Sequence, residues 1–152
     1  MEKIDLTGTY HFKIIGVNGK IRDEWSVRNT VVSAGKAQLA LLAGDASATP
    51  FTYLAVGTSS TAVSVGQTAL QAEITDTGLA RASATVARTT TTVTNDTLSL
   101  TYTWIASGTK VVEEIGAFNA SSSGTMLGRA LTSTKTLANG EQLVATYTVA
   151  FA

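Results

Sequence analysis

The chain has 152 residues, no cysteine and a formal net charge of zero, from 11 basic and 11 acidic residues. A chain of this length can bury a core without staples, and the lack of cysteine excludes disulfides and thiolate metal sites. The balanced charge argues against a nucleic-acid partner, because neutralising phosphates requires a basic excess.

The first predicted element is a β-hairpin around Asn18-Gly19. Both residues accept positive φ, so the pair favours a two-residue type I′ turn, with Val17 opposite Lys20. This register separates the side chains by polarity, which supports it. The apolar face carries Tyr10, Phe12, Ile14, Trp25 and Val27, and the polar face carries His11, Lys13, Arg22, Glu24 and Ser26.

One short helix is predicted over residues 33–44. Ser33 suits the N-cap, residues 36–42 form a good helical run, and Gly44 suits the position after the last turn. Residues 67–73 are a further candidate for a single helical turn.

The remaining segments have the period-two pattern of strands, as in Leu98 to Trp104 and Leu143 to Phe151. The other predicted strands are 51–56, 81–93, 111–118 and 125–131. Several short strands with turn signals between them predict an all-β fold, a β-sandwich or jelly-roll-like domain. We expect residues 1–152 to form one domain, with residues 1–6 as an N-terminal arm.

Few residues in this sequence could carry out catalysis. His11 is the only histidine and lies on the polar face of the hairpin, and no G-x-S-x-G nucleophile elbow is present. The acidic pairs Asp23-Glu24 and Glu113-Glu114 lie in predicted strands, where neighbours point to opposite faces. The sequence therefore predicts a protein that is not an enzyme, with no catalytic, cofactor-binding or metal-binding residues.

An ion pair is predicted between Glu114 and Arg129. If residues 111–118 and 125–131 form a hairpin, pairing Phe118 with Thr125 places Glu114 directly opposite Arg129. Both would share a face with apolar residues, so we expect a structural, partly buried pair. The alternative is that Glu114 contacts a partner protein.

Several segments follow one another in a recognisable order. They are Asn29 to Val32 before the helix, Leu54-Ala55-Val56-Gly57-Thr58, Ala69 to Glu73, the strand opened by Arg81, and Glu114 to Asn119 followed by Met126 to Ala130. In this order they resemble structural proteins of tailed bacteriophages. The chain's size, short arm and lack of a fibre repeat are most similar to the trimeric capsid decoration (cement) proteins of long-tailed phages of thermophilic bacteria.

That resemblance implies a homotrimer on the outer surface of the capsid, which binds the major capsid protein and clamps neighbouring capsid subunits. It brings no catalytic residues and no cofactor. Charged residues are only 14% of the chain against the usual quarter or so, which suits a surface covered by neighbours. A tail-fibre or tail-tip receptor-binding protein is the alternative, and a carbohydrate-binding module is a third possibility.

The N-terminal residues are the predicted interface. They are Met1, Glu2, Lys3, Ile4, Asp5 and Leu6. Ile4 and Leu6 are apolar yet precede the hairpin, and free termini are disordered unless they are tied down. No apolar core follows the charged start, and no stretch approaches the ~20 apolar residues of a membrane span. We therefore expect a protein made in the host cytoplasm, with no leader and no membrane partner.

Overall fold

A computed structural model describes residues 1–151 as ten strands and one helix. The strands are β1 (Leu6–Ile15), β2 (Ile21–Arg28), β3 (Thr30–Val31), β4 (Tyr53–Gly57), β5 (Ala82–Ser83), β6 (Thr85–Thr89), β7 (Thr97–Ile105), β8 (Lys110–Phe118), β9 (Met126–Leu137) and β10 (Gln142–Phe151). The helix, α1, is Ser33–Gly44, within the bounds predicted from the sequence. No helix in the described part of the chain is long and apolar enough to cross a membrane.

The strands form two five-stranded antiparallel sheets. Sheet A has the order β2-β1-β10-β7-β6, and sheet B has the order β3-β9-β8-β4-β5. Their inner faces enclose a common hydrophobic core. The prediction of an all-β sandwich with an N-terminal hairpin and one short helix is confirmed.

The core follows from the period-two pattern of the sequence. In β1 the alternate residues Tyr10, Phe12 and Ile14 are fully buried, and the same alternation continues through β10. Tyr10 stacks on Tyr147 of β10 with ring centroids 4.1 Å apart. Burying each side chain of this size contributes roughly 1.5–3 kcal/mol, so this central strand pair stabilises sheet A strongly.

The first hairpin reaches its predicted register through a different turn. The N–H of Gly16, not of Val17, donates to the carbonyl oxygen of Lys20. Of the two predicted turn residues, Asn18 and Gly19, only Gly19 has positive φ, so the prediction of a type I′ turn is wrong. The longer turn shifts the pairing by one residue, and a bulge in β2 between Ile21, opposite Ile15, and Asp23, opposite Ile14, shifts it back. Phe12 therefore lies opposite Trp25, as the polarity of the two faces requires.

Helix α1 has different caps from those predicted. Val32 occupies the N-cap position without a side-chain bond, Ser33 is already helical, and Gly44 ends the helix before Asp45. The helix is held by packing instead: a Cβ on Gly35 would lie 2.3 Å from the carbonyl oxygen of Leu127 in β9. Only glycine permits this close approach of helix and strand.

Two predicted elements differ from the structure. Residues 67–73 form no helical turn, because the N–H groups of Gln71 and Ala72 bind a carboxylate in sheet B. The predicted strand 81–93 changes sheets at Ala84, whose N–H donates to Thr52, so it splits into β5 in sheet B and β6 in sheet A. Tertiary hydrogen bonds override the local pattern in both cases.

The connection between β6 and β7 folds around Asp96. Its carboxylate accepts hydrogen bonds from the backbone N–H groups of Val93, Thr91 and Thr92 at 2.7–2.8 Å. These bonds hold the pKa of the Asp96 carboxyl well below its ordinary range. The connection is therefore the seven-residue loop 90–96, longer than the turn 94–97 that the sequence suggests.

Candidate functional site

The predicted charge pair lies on the outer face of sheet B, in the β8–β9 hairpin. The predicted register is wrong by two residues: Glu114 lies opposite Leu131, and Gly116 lies opposite Arg129. A shift of two keeps each residue on its face, so Glu114 and Arg129 become diagonal neighbours. Their side chains meet, with Arg129 Nε 2.6 Å from Glu114 Oε2.

An irregularity in the pairing of β8 with β9 changes one predicted neighbour of this pair. The register shifts between Val112 and Glu114. Val112 accordingly packs in the core between the sheets, not on the face of Glu114 as expected from strict alternation. Glu113 is partly exposed and accepts a hydrogen bond from Thr134, so the two adjacent carboxylates do not act together.

Both members of the ion pair are completely buried. Glu114 also accepts hydrogen bonds from the N–H groups of Gln71 at 3.1 Å and Ala72 at 2.7 Å. Arg129 Nη1 donates to the carbonyl oxygen of Thr61 at 2.8 Å and to Gln67 Oε1 at 3.1 Å. The pair therefore holds the irregular segment 58–73 against sheet B.

A small second core lies beside the ion pair on the same outer face. It consists of Val32, Ala55, Leu70, Phe118 and Met126. Arg81 lies over the Phe118 ring at 3.7 Å and pairs with Glu73 at 2.7 Å. Because Glu114 and Arg129 are fully buried and hydrogen-bonded to segment 58–73, neither side chain is accessible to a ligand or partner, and their contacts are structural.

The predicted N-terminal interface, residues 1–6, overlaps the first strand by one residue. Leu6 belongs to β1, lies opposite Phe151 and packs against the core, so the arm is Met1–Asp5 and excludes Leu6. Within the described residues, no backbone hydrogen bond reaches residues 1–4. Met1 is fully exposed and Ile4 is 70% exposed. The arm is thus an unpaired segment that carries apolar side chains in solvent.

The arm and α1 border an open cleft. This open cleft of ≈ 670 Å³ lies between arm residues 3–5, the start of β3 and the first turn of the helix. Lys3 and Asp5 form an exposed ion pair at its rim. The cleft places the arm on the β3 side of the molecule, far from the opposite edge of sheet A.

That opposite edge is a surface that sequence reasoning missed. All five residues of β6 are exposed on both faces, and the strand pairs only with β7. Sheet B does not cover it, and Val86 is 50% exposed. The alternating pattern of 81–93 predicts a strand, but no sequence signal shows that the strand lies at an edge.

The remaining predicted residues form no reactive cluster. His11 has 42% of its side chain exposed and contacts Ser26 and Glu24 on the polar face of the hairpin. Among residues 1–151 no group of three or more histidine or acidic side chains could hold a metal ion.

Comparison of the chain with protein-family models, curated proteins and solved structures returned no match.

Proposed function

We propose that the protein is a non-enzymatic structural protein of a virus particle, which decorates and stabilises the capsid as a homotrimer. It lies on the outer surface of the virion and binds across neighbouring subunits of the major capsid protein. The resemblance of residues 29–152 to phage decoration proteins suggests this role.

The observation that carries the proposal is the contrast between the interior and the periphery of the molecule. The buried charges Glu114 and Arg129 are used within the chain, to hold its own loop. At the periphery, the arm Met1–Asp5 and strand β6 have backbone groups and apolar side chains without partners among residues 1–151. Such groups stabilise an assembly when a neighbour covers them.

The low charge of the chain fits this role. With 14% charged residues and zero net charge, copies do not repel one another at the spacing of a lattice. A decoration protein needs only modest affinity at each contact, because contacts repeated over the capsid act together.

The test is binding to undecorated capsids of the phage that encodes the chain. Purified protein is mixed with such capsids, which are then sedimented, and the bound copies are counted against the number of capsid subunits. We expect saturable binding at three copies per threefold position and a higher melting temperature of the decorated capsid. Binding to isolated tails but not to capsids would contradict the proposal.

The arm provides a matched comparison in the same assay. Deleting residues 1–5 should weaken capsid binding or capsid stabilisation while the domain still folds, because no core residue is removed. The control is Val17→Lys, which alters an equally exposed apolar side chain at the hairpin turn. Unchanged binding after the deletion would show that the arm is not an interface.

A further inference from the structure

Sheet A has one edge without protection against strand addition. Strands β3 and β5, at the edges of sheet B, have two residues each, and β2 carries four charged residues and a bulge. Short strands, charges and bulges are the usual means of blocking an edge. Strand β6 has five residues, Thr85–Thr89, with one charge and no proline.

An open strand edge specifies the chemistry of its partner. Its outward N–H and C=O groups alternate along the strand, and another extended backbone supplies the complementary series. The partner must also present side chains that match Val86 and Arg88, which share one face of β6 and lie opposite Leu100 and Leu98 of β7.

We propose that the arm Met1–Asp5 of a second copy adds to this edge as an antiparallel strand. Extended backbone would place Glu2 and Ile4 on one face. Antiparallel pairing then sets Glu2 opposite Arg88 and Ile4 opposite Val86, so that charge meets opposite charge and apolar meets apolar. Neither Glu2 nor Arg88 has an ion-pair partner elsewhere in residues 1–151.

The arm that pairs with β6 comes from another molecule, because its own arm is too short. Strand β1, from which the arm leaves, is separated from β6 by β10 and β7. Three inter-strand steps are about 14 Å, and five residues reach at most about 17 Å, so crossing the sheet would consume the arm. The arm also lies on the β3 side, beside residues 29–31 and Lys36.

An arm-to-edge contact joins different surfaces of the two copies. Contacts of this type close into rings when the rotation permits, and a trimer is such a ring. The inference deepens the proposed function by naming the contact that forms the homotrimer, and it rests on that proposal only for the number of copies.

Charge exchange provides the test of the register. Glu2→Arg and Arg88→Glu should each raise the dissociation constant of the oligomer about tenfold, since attraction becomes repulsion at every contact. The double variant E2R/R88E should restore wild-type association. Arg28→Glu, the same change on the exposed β2 edge, is the matched control and should have no effect. Masses are measured by light scattering over a dilution series.

Disulfide capture tests the contact directly, because the chain has no cysteine of its own. The variant I4C/V86C should form disulfide-linked oligomers, whereas I4C/S26C, with the second cysteine on β2, should not. Failure of the double charge variant to restore association, or equal linkage in both cysteine variants, would overturn the inference. So would a wild-type protein that stays monomeric.

The two proposals fail separately. A monomer that still binds undecorated capsids would overturn the arm-to-edge contact and leave the capsid role standing. A trimer that depends on Glu2 and Arg88 but does not bind capsids would do the reverse.

Discussion

The buried pair Glu114–Arg129 should be strongly coupled in folding. Replacing Glu114 with Gln leaves the Arg129 charge buried without its counter-charge, and removing one member of a buried pair costs about 3–5 kcal/mol. For a chain of this length, each kcal/mol lowers the melting temperature by about 2–4 °C, so we expect a fall of roughly 6–20 °C.

The two single variants should not be equal. Arg129→Met leaves the Glu114 carboxylate with the N–H groups of Gln71 and Ala72. It also removes Arg129 Nη2, which is buried without a partner among the described residues. An unsatisfied buried donor is itself destabilising, so its removal offsets part of the loss. We therefore expect Glu114→Gln to be more destabilising than Arg129→Met.

The assay is a double-mutant cycle read by thermal unfolding at fixed protomer concentration, because an oligomer's melting temperature depends on concentration. The coupling free energy should be roughly 1.5–3 kcal/mol, the upper part of the range for contacting residues. The solvent-accessible pair Lys110–Asp76, outside the arm and β6, is the control, and its cycle with Lys110→Met and Asp76→Asn should give a much weaker coupling than the buried pair. Additive effects of Glu114→Gln and Arg129→Met would refute the structural role of the buried pair.

Three further changes test other parts of the structure. Gly35→Ala should destabilise the protein by about 1–3 kcal/mol in thermal unfolding, because the new Cβ meets the Leu127 carbonyl, whereas Gly44→Ala, with open space around it, should be neutral. Because the pKa of Asp96 is lower in the folded than in the unfolded protein, its ionised carboxylate stabilises the fold above the unfolded pKa, and this stabilisation is lost as the pH falls through the folded pKa. Asp96→Asn should therefore lose less melting temperature on acidification than the wild type. An equal loss in both proteins would contradict this. His11→Ala should leave capsid binding intact, and lost binding by a folded variant would assign His11 a function.

The strands could be predicted because their apolar residues recur at period two, and the helix because residues 36–42 are good helix formers. The helix bounds 33–44 and the inward alternation of β1 and β10 follow from the sequence pattern alone. The β8–β9 register could not, since Phe118 pairs with Met126 instead of Thr125 and the register shifts by one more residue between Phe118 and Ala117, and no local signal marks either change. The charge pair nevertheless forms, because the resulting shift of two residues preserves the face of each side chain.

The candidate interface was predicted only in part. Apolar side chains before the first strand identify the arm, although Leu6 belongs to the sheet. The open edge at β6 depends on where the chain changes sheets at Ala84, and that position is set by a hydrogen bond to Thr52, distant in sequence. Similarly, residues 71–72 form no helical turn, because their N–H groups donate to the carboxylate of Glu114, which is distant in sequence.

The pairing of β1 with β10 at the centre of sheet A affects how the protein is made on the ribosome. The hairpin of β1 and β2 is synthesised early, but an isolated two-stranded hairpin is only marginally stable in water. Its apolar face stays uncovered on the β10 side until residues 142–151 have been synthesised. Contacts between such distant segments make folding slow. During that interval Tyr10, Phe12 and Ile14 are available to chaperones and to aggregation, so production of this protein should depend on temperature and on chaperone supply more than its final stability suggests.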